Sequence, residues 1–179
     1  MMPMPSVTAR RMCPNAIFLP GDHDLYATVS TQVHEVFRSV TPMVEPLALD
    51  EAFLDVTASR ALFGDGEAIA RAIKAAVRDE VSLPISAGVA ATKMVAKIAS
   101  DLRKPDGLVV VPPGTETAFL APLPIGKLPG IGVKTEPLLT EKYGLRMIGD
   151  ILTRSERELE TIFGSGWRGM LAMARGEDD

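Results

Sequence analysis

The sequence has almost none of the residues that form disulfides and zinc sites. Cys13 is the only cysteine among 179 residues, so no disulfide can form within the chain. His23 and His34 are the only histidines, which leaves too few donors for a zinc site of the usual cysteine and histidine type. Any metal ion would therefore be held by carboxylates.

Long apolar runs and an excess of positive charge are also missing. No apolar stretch approaches the roughly 20 residues that a membrane-spanning helix needs, and residues 1–20 lack the basic and then apolar order of a signal peptide. We therefore expect a globular, cytoplasmic protein with no membrane partner. The formal net charge of −4 argues against holding nucleic acid in a broad positive field. A polynucleotide would have to be bound locally, by backbone amides, helix N-termini and a few lysines.

Apolar periodicity predicts an α+β fold followed by an all-helical part. Residues 44–49 and 52–56 are short apolar runs on either side of Asp50 and Glu51, a pattern typical of an antiparallel hairpin. Further strands and helices alternate up to Pro112-Pro113-Gly114, after which only helices punctuated by Gly and Pro are predicted. The other predicted strands are at 16–19, 85–90 and 108–111, and the predicted helices are at 6–12, 22–40, 66–81, 92–103, 133–142 and 155–163.

Asp50 and Glu51 are candidate metal ligands. Neighbours in a strand point to opposite faces, but at a bend both carboxylates can approach one hard cation such as Mg²⁺, which prefers oxygen ligands. An Asp-Glu pair is more often simply a solvated turn, so the pair alone does not decide between the two interpretations.

A lysine-bearing helix is the second candidate feature. Lys93 and Lys97 lie four residues apart in the helix predicted at 92–103 and so share a face, which is most often only a solvated one. Lys104 differs, because it directly precedes Pro105, where the helix must end.

A glycine-rich turn is the third. Gly130 and Gly132 flank one apolar residue shortly before the helix predicted at 133–142, and Lys134 follows them. Such a turn exposes backbone N–H groups beside a positive helix end, which suits a DNA phosphate, although an ordinary turn between helices would look the same. Pro137 is predicted to remove one hydrogen bond from the helix and to kink it.

Three segments resemble the Y-family of lesion-bypass DNA polymerases, most closely its bacterial branch. Glu45-Pro-Leu-Ala-Leu-Asp-Glu-Ala-Phe-Leu-Asp-Val-Thr57 is similar to the palm motif of that family, residues 86–107 to its second long palm motif, and residues 123–152 to its helix-hairpin-helix thumb. The chain departs from the family at Ala48, where Ser is usual, at Ala91, where Pro is frequent, and at Asp106, where Asn is frequent. The motifs come in the order and at the spacing of the family.

The resemblance implies a fold and a domain order. The fold is α+β, a partial polymerase palm with a mixed sheet and helices, followed by an all-helical thumb that contains the helix-hairpin-helix. Residues 1–21 are then a remnant of the fingers, residues 22–113 an incomplete palm, and residues 114–179 the thumb.

The resemblance also implies an activity and roles for particular residues. The activity is that of a DNA-directed DNA polymerase, a nucleotidyltransferase of the error-prone bypass type acting in DNA repair and damage tolerance. Its partners would be primer–template DNA and deoxynucleoside triphosphates, and its cofactor Mg²⁺, with two ions in the complete enzyme. The implied site consists of Asp50 as a metal ligand, Glu51 as a metal ligand and catalytic residue, Lys104 as a contact to the triphosphate, and Gly130, Gly132 and Lys134 as contacts to DNA.

Two parts of the family pattern find no match in these 179 residues. They are the opening palm strand, with its first metal-binding aspartate and the residue that excludes ribonucleotides, and the little finger, which would follow Asp179. We therefore expect a truncated, inactive form, with contact to a sliding clamp left open through the absent C-terminal region. The alternative is a non-catalytic remnant that binds DNA or a protein. An unrelated hydrolase using Asp50 and Glu51 is disfavoured, because no third polar cluster converges with them in the sequence.

Overall fold

The computed structural model describes residues 4–178, which form ten α-helices and four short β-strands. The helices are α1 Ser6–Met12, α2 His23–Val40, α3 Arg60–Phe63, α4 Gly66–Val81, α5 Lys93–Leu102, α6 Glu116–Leu120, α7 Thr135–Lys142, α8 Gly149–Leu152, α9 Glu156–Phe163 and α10 Trp167–Arg175. The strands are β1 Val44–Ala48, β2 Glu51–Leu54, β3 Ala87–Val89 and β4 Leu108–Val110, and single 3₁₀ turns lie at Ile125–Lys127 and Gly164–Gly166.

The strands form two separate pairs within the described residues. β1 and β2 are an antiparallel hairpin with its turn at Leu49 and Asp50, and β3 and β4 run parallel, joined by α5. The α+β class predicted from periodicity is confirmed. A mixed sheet was expected to contain both antiparallel and parallel pairs. Both kinds of pair are present, but they form two separate two-stranded sheets.

The long helices of the first half begin at side-chain caps. Asp22 accepts a hydrogen bond from the amide of Leu25 at 3.0 Å, and Asp65 accepts one from the amide of Ala68 at 2.8 Å. Each cap satisfies an amide that has no partner inside its helix. The apolar faces of α2 and α4 then pack together in a small core that also contacts the outgoing strand of the hairpin. This core is built on Val36, Ile69, Ile73 and Val77, with Leu54 and Val56 packed against it.

A second, larger core begins in α5 and continues through the helices that follow residue 113. Val95 and Ala99 of α5 are fully buried in the same cluster as Leu120, Leu139 and Trp167. The larger core is therefore continuous across residue 113, where the strands give way to helices. The domain boundaries at 21/22 and 113/114 stay predictions.

Two local predictions are wrong. Residues 16–19 form no strand, and Ile17 and Leu19 are 87% and 82% exposed, because a strand needs a partner and no described strand pairs with this run. Pro137 costs no helical hydrogen bond, since it is the third residue of α7, where backbone amides have no intrahelical acceptor.

None of the helices in residues 4–178 is long and apolar enough to cross a membrane.

Candidate active site and nucleic-acid interface

The acidic pair lies at the tip of the β1–β2 hairpin. Asp50 is the second residue of the turn and is exposed, while Glu51 opens β2 opposite Ala48 and is half-buried. The pleat alone would separate neighbouring side chains, but the turn ends between these two residues. Both carboxylates consequently line the same cleft.

This cleft has a volume of about 1070 Å³ and lies between the two strand pairs. Every residue of β2 and of β3 lines it, together with parts of α2, α4 and α5. Most of the lining is apolar. The lysines that interact with the acidic pair are Lys97 and Lys104, while Lys93 pairs with Glu45, away from the hairpin tip. The structure thus brings three predicted site residues, Asp50, Glu51 and Lys104, into one cavity.

A chain of ion pairs runs from the acidic pair to Lys104. The Nζ atom of Lys97 donates a hydrogen bond to Oε1 of Glu51 and lies 3.9 Å from Oδ2 of Asp101. The other oxygen of Asp101, Oδ1, is 2.7 Å from Nζ of Lys104. Lys97, Asp101 and Lys104 are spaced by four and three residues, so α5 and its end present them on one face.

The charges of this network support one another. The hydrogen bond with Asp101 is the main cause that raises the pKa of Lys104, and the charges of Asp101, Glu51 and Asp50 act in the same direction against partial burial. Burial works to raise the pKa of Asp101, but the hydrogen bond from Lys104 and the positive charges of Lys97, Lys104 and Lys127 together lower it. Lys104 and Asp101 are therefore both ionised at neutral pH.

The loop that carries Lys104 is fixed to α4 by a second set of ion pairs. Lys74, whose side chain is only 14% exposed, places Nζ 2.7 Å from Oδ1 of Asp106 and also donates to the carbonyl of Ile85. Arg78 pairs with the other carboxylate oxygen of Asp106. The hydrogen bond from Lys74 is the main cause that lowers the pKa of Asp106. Two cations therefore neutralise Asp106, which stands at a position where the family that the sequence resembles frequently has Asn.

Sequence reasoning missed three residues of this site. It favoured a solvated face for Lys97 without deciding the question, and it gave no role to Asp101 or Lys74. The spacing of Lys97, Asp101 and Lys104 could have revealed the first two, because alternating charges on one helical face predict ion pairs. The contact between Lys74 and Asp106 spans 32 residues and has no local signal.

The glycine turn before α7 lies outside the lining of the cleft. Gly130 has a φ of +85°, which favours glycine, and a Cβ atom on either Gly130 or Gly132 would meet no atom within 4 Å. The carbonyl of Gly132 accepts from the amides of Thr135 and Glu136 at 2.9 and 3.0 Å, which begins α7. Lys134 is exposed directly before the helix. The turn therefore offers open backbone, a helix N-terminus and one cation at the same place.

The donor set at the hairpin tip fits Mg²⁺ in one particular way. No group of three or more His, Cys, Asp or Glu residues within 4–178 is arranged to hold a metal ion. Mg²⁺ is, however, commonly bound by one or two carboxylates, with water and substrate phosphates supplying the remaining ligands. Asp50 and Glu51 match that mode of binding, in which the substrate completes the site.

Comparison with known proteins gives a consistent picture. The impB/mucB/samB family matches residues 1–101, and the HHH motif of the IMS family matches residues 113–145. The DNA polymerase IV of Opitutus terrae is 45% identical over 99% of this chain and 45% of its own length, and that of Stenotrophomonas maltophilia strain R551-3 is 47% identical over 98% and 49%. The chain thus spans about half the length of the curated relatives it matches.

Solved structures agree with these relatives. The crystal structure of DinB from Sulfolobus solfataricus is 32% identical, with a TM-score of 0.87 over 98% of this chain and 52% of that one. An insertion ternary complex of Dbh DNA polymerase is 31% identical, with a TM-score of 0.84 over 98% and 52%. The resemblance inferred from the three sequence segments is confirmed: the chain belongs to the impB/mucB/samB family, the Y-family of DNA polymerases.

Proposed function

We propose that this chain carries the catalytic acids, the triphosphate contact and the DNA-backbone contact of a lesion-bypass DNA polymerase. Such an enzyme transfers a deoxynucleotide from its triphosphate to the 3′ end of a primer on a template. The observation that carries the proposal is the shared cleft, in which Asp50 and Glu51 are linked through Lys97 and Asp101 to Lys104. The DNA polymerase IV relatives support the same activity.

Each proposed site residue has a distinct task. Asp50 and Glu51 would hold Mg²⁺, which when bound neutralises charge on the phosphates and on the attacking oxygen. Glu51 is proposed to face the primer end, where its carboxylate would help to hold Mg²⁺ beside the attacking 3′-hydroxyl. Lys104 binds a phosphate oxygen through a compact ammonium that is charged throughout the neutral range. Gly130, Gly132 and Lys134 hold the phosphate backbone of DNA without reading its bases.

The proposal extends to cellular setting and partners. Primer–template DNA and deoxynucleoside triphosphates are the proposed partners, and the cytoplasm is the proposed location, in keeping with a role in DNA repair. Contact with a sliding clamp, and inactivity of the chain on its own, stay predictions that rest on the family resemblance.

A chimeric polymerase tests the assignment. This chain would replace the matching 178 residues of the Opitutus terrae DNA polymerase IV, and primer extension would be measured. We expect the chimera to extend a primer, and Asp50→Ala or Glu51→Ala to reduce the rate at least about 100-fold, because each removes charge stabilisation from the transition state.

The chain contains a matched control for these substitutions. Asp79 and Glu80 form another adjacent acidic pair, exposed on α4 and outside the cleft lining. Asp79→Ala and Glu80→Ala should leave extension unchanged. If the chimera extends primers equally well with Asp50→Ala or Glu51→Ala, the metal-site assignment is wrong. A chimera that binds DNA but never extends a primer would favour the non-catalytic alternative.

A further inference from the structure

We propose that Lys97 is a positioning residue for nucleotidyl transfer, which holds the Glu51 carboxylate in the cleft and couples it to Lys104 through Asp101. The proposal rests on the function proposed above and deepens it. The sequence pairs this lysine with Lys93 on one helical face and does not by itself distinguish the two.

The backbone of Lys97 is held rigidly, because α5 packs directly against strand β3. A Cβ atom on Gly88 of β3 would come within 2.0 Å of the carbonyl oxygen of Ala96 and 2.6 Å of the amide of Ser100. The helix and the strand are therefore in direct backbone contact, which only glycine permits. On the other side of α5, Val95 and Ala99 are completely buried. The root of the Lys97 side chain has little freedom to move.

Lys97 has two acidic partners, one on the hairpin and one on its own helix. Its Nζ donates to Glu51 on the hairpin and lies 3.9 Å from Asp101 on its own helix. The side chains of Lys97 and Glu51 are 34% and 36% exposed, so this pair is shielded more than a typical surface ion pair. Asp101 in turn binds Lys104 at 2.7 Å. A displacement of Lys97 would therefore affect a catalytic acid directly and the triphosphate contact only through one further residue.

The positive charge of Lys97 acts on both carboxylates of the acidic pair. Asp50 and Glu51 are adjacent anions, and a fixed ammonium beside Glu51 offsets their repulsion and selects one orientation of its carboxylate. The same ammonium opposes the binding of another cation at the pair. Loss of Lys97 should consequently have opposite effects on two measurable quantities: weaker catalysis, because Glu51 is no longer oriented, and tighter metal binding, because a competing positive charge is gone.

Lys93 is the matched control. It lies one turn earlier on α5 and also pairs with a glutamate of the hairpin, Glu45, but both side chains of that pair are 54% exposed. Lys93→Met removes the same charge from the same helix and breaks the same type of pair between the same two elements. It does not disturb Glu51 or Asp101.

The test combines turnover in the chimera with metal binding by the chain itself. Lys97→Met should lower kcat about 10-fold or more while changing the KM for the nucleotide less than about 3-fold. Lys97→Arg should recover most of kcat, and Lys93→Met should leave it unchanged. In the 179-residue chain, Mn²⁺ titration followed by electron paramagnetic resonance should show tighter binding for Lys97→Met, about 5-fold, and no change for Lys93→Met.

The outcomes separate this proposal from the one it rests on. A chimera that stays inactive with Lys97 intact contradicts the proposed polymerase function, and Mn²⁺ binding then decides the role of Lys97 by itself. Equal kcat for Lys97→Met and Lys93→Met would overturn the proposal. So would unchanged Mn²⁺ binding, or a parallel loss of kcat, Mn²⁺ binding and melting temperature, which would indicate a merely structural lysine.

Discussion

Lys104, the proposed contact to the triphosphate, is held in position by neighbouring side chains of the protein itself. Its ammonium is half-exposed at the cleft, yet it lies 2.7 Å from the carboxylate of Asp101. Asp101 belongs to α5, a helix that is packed into the larger core. The orientation of a flexible lysine is thereby restricted in advance, which reduces the entropy lost on binding a ligand. Asp106 and Lys74 hold the loop on the other side of Pro105. The position of Lys104 thus depends on two separate ion-pair networks.

We predict that Lys104→Ala raises the KM for the nucleotide in the chimera about 10-fold and lowers kcat much less, because a ground-state phosphate contact is lost. The pKa of Lys104 is raised above its ordinary value of 10.5, so the charge is fully present below that value and is lost only as the pH rises through the raised pKa. The ratio of KM between the Lys104→Ala chimera and the unsubstituted chimera should therefore be constant across the neutral and mildly alkaline range. Steady-state kinetics at several pH values would measure this, and a KM unaffected by the substitution would contradict the phosphate contact.

At the level of elements, the turn before α7, which is the proposed contact to DNA, exposes backbone more than side chains. Leu128 and Ile131 are buried in the larger core and anchor the turn to it, while Gly130 and Gly132 leave its outer face open. One exposed lysine, Lys134, accompanies them. Such a surface can approach a phosphate closely but carries little charge of its own.

We therefore predict that the chain binds duplex DNA weakly, without sequence preference and with a shallow salt dependence. Fluorescence anisotropy with two unrelated duplexes should give equal affinities. Lys134→Ala should reduce the slope of log affinity against log salt by about one, while Lys142→Ala, at the far end of α7, should not. A strong preference for one duplex, or no binding at low salt, would show that this turn is an ordinary connection between helices.

Features that depend on residues close together in the sequence could be predicted, whereas features that depend on distant partners could not. The hairpin, α2, α4 and α5 have local signals, in the form of caps, periodicity and turn residues, and all were predicted within a few residues of their observed bounds. The strand at 16–19 was wrong because apolar composition cannot supply a pairing partner. The pairing of Lys97 with Glu51 and that of Lys74 with Asp106 have no local signal for the same reason, since the partners lie 46 and 32 residues away. Asp101 differs, because its partners Lys97 and Lys104 lie four and three residues away and the spacing alone could have revealed it.

On the scale of the whole molecule, α5 joins the part that carries the acids to the part that carries the glycine turn. The end of α10 returns to the start of α5, where the amide of Met94 donates to Asp178 at 2.8 Å and the hydroxyl of Thr92 donates to the carbonyl of Gly176 at 3.3 Å. One core cluster includes residues from both sides of this contact. The relative position of the cleft and the glycine turn is therefore set by packing and not by a linker.

Gly176 provides a way to test that coupling. It has a φ of +83°, and a Cβ atom there would lie 2.4 Å from the Cβ of Glu116 and 3.5 Å from a methyl group of Val95. Gly114 has almost the same φ, +84°, with nothing within 4 Å of its Cβ. Gly114→Ala should cost only the backbone strain of a left-handed residue, about 1–2 kcal/mol. Gly176→Ala should lower the free energy of unfolding by the same amount plus about 1–3 kcal/mol for the collision.

The location of the effect distinguishes a coupled molecule from two independent parts. Since Gly176 and Asp178, which follow α10, are hydrogen-bonded to the start of α5, hydrogen exchange in Gly176→Ala should become faster both in α10 and at residues 93–102, and one denaturation transition should shift as a whole. Gly114→Ala should show no such faster exchange concentrated at residues 93–102. If Gly176→Ala speeds exchange in α10 alone and α5 keeps its protection, the shared core does not couple the cleft to the glycine turn. The two would then move independently of each other.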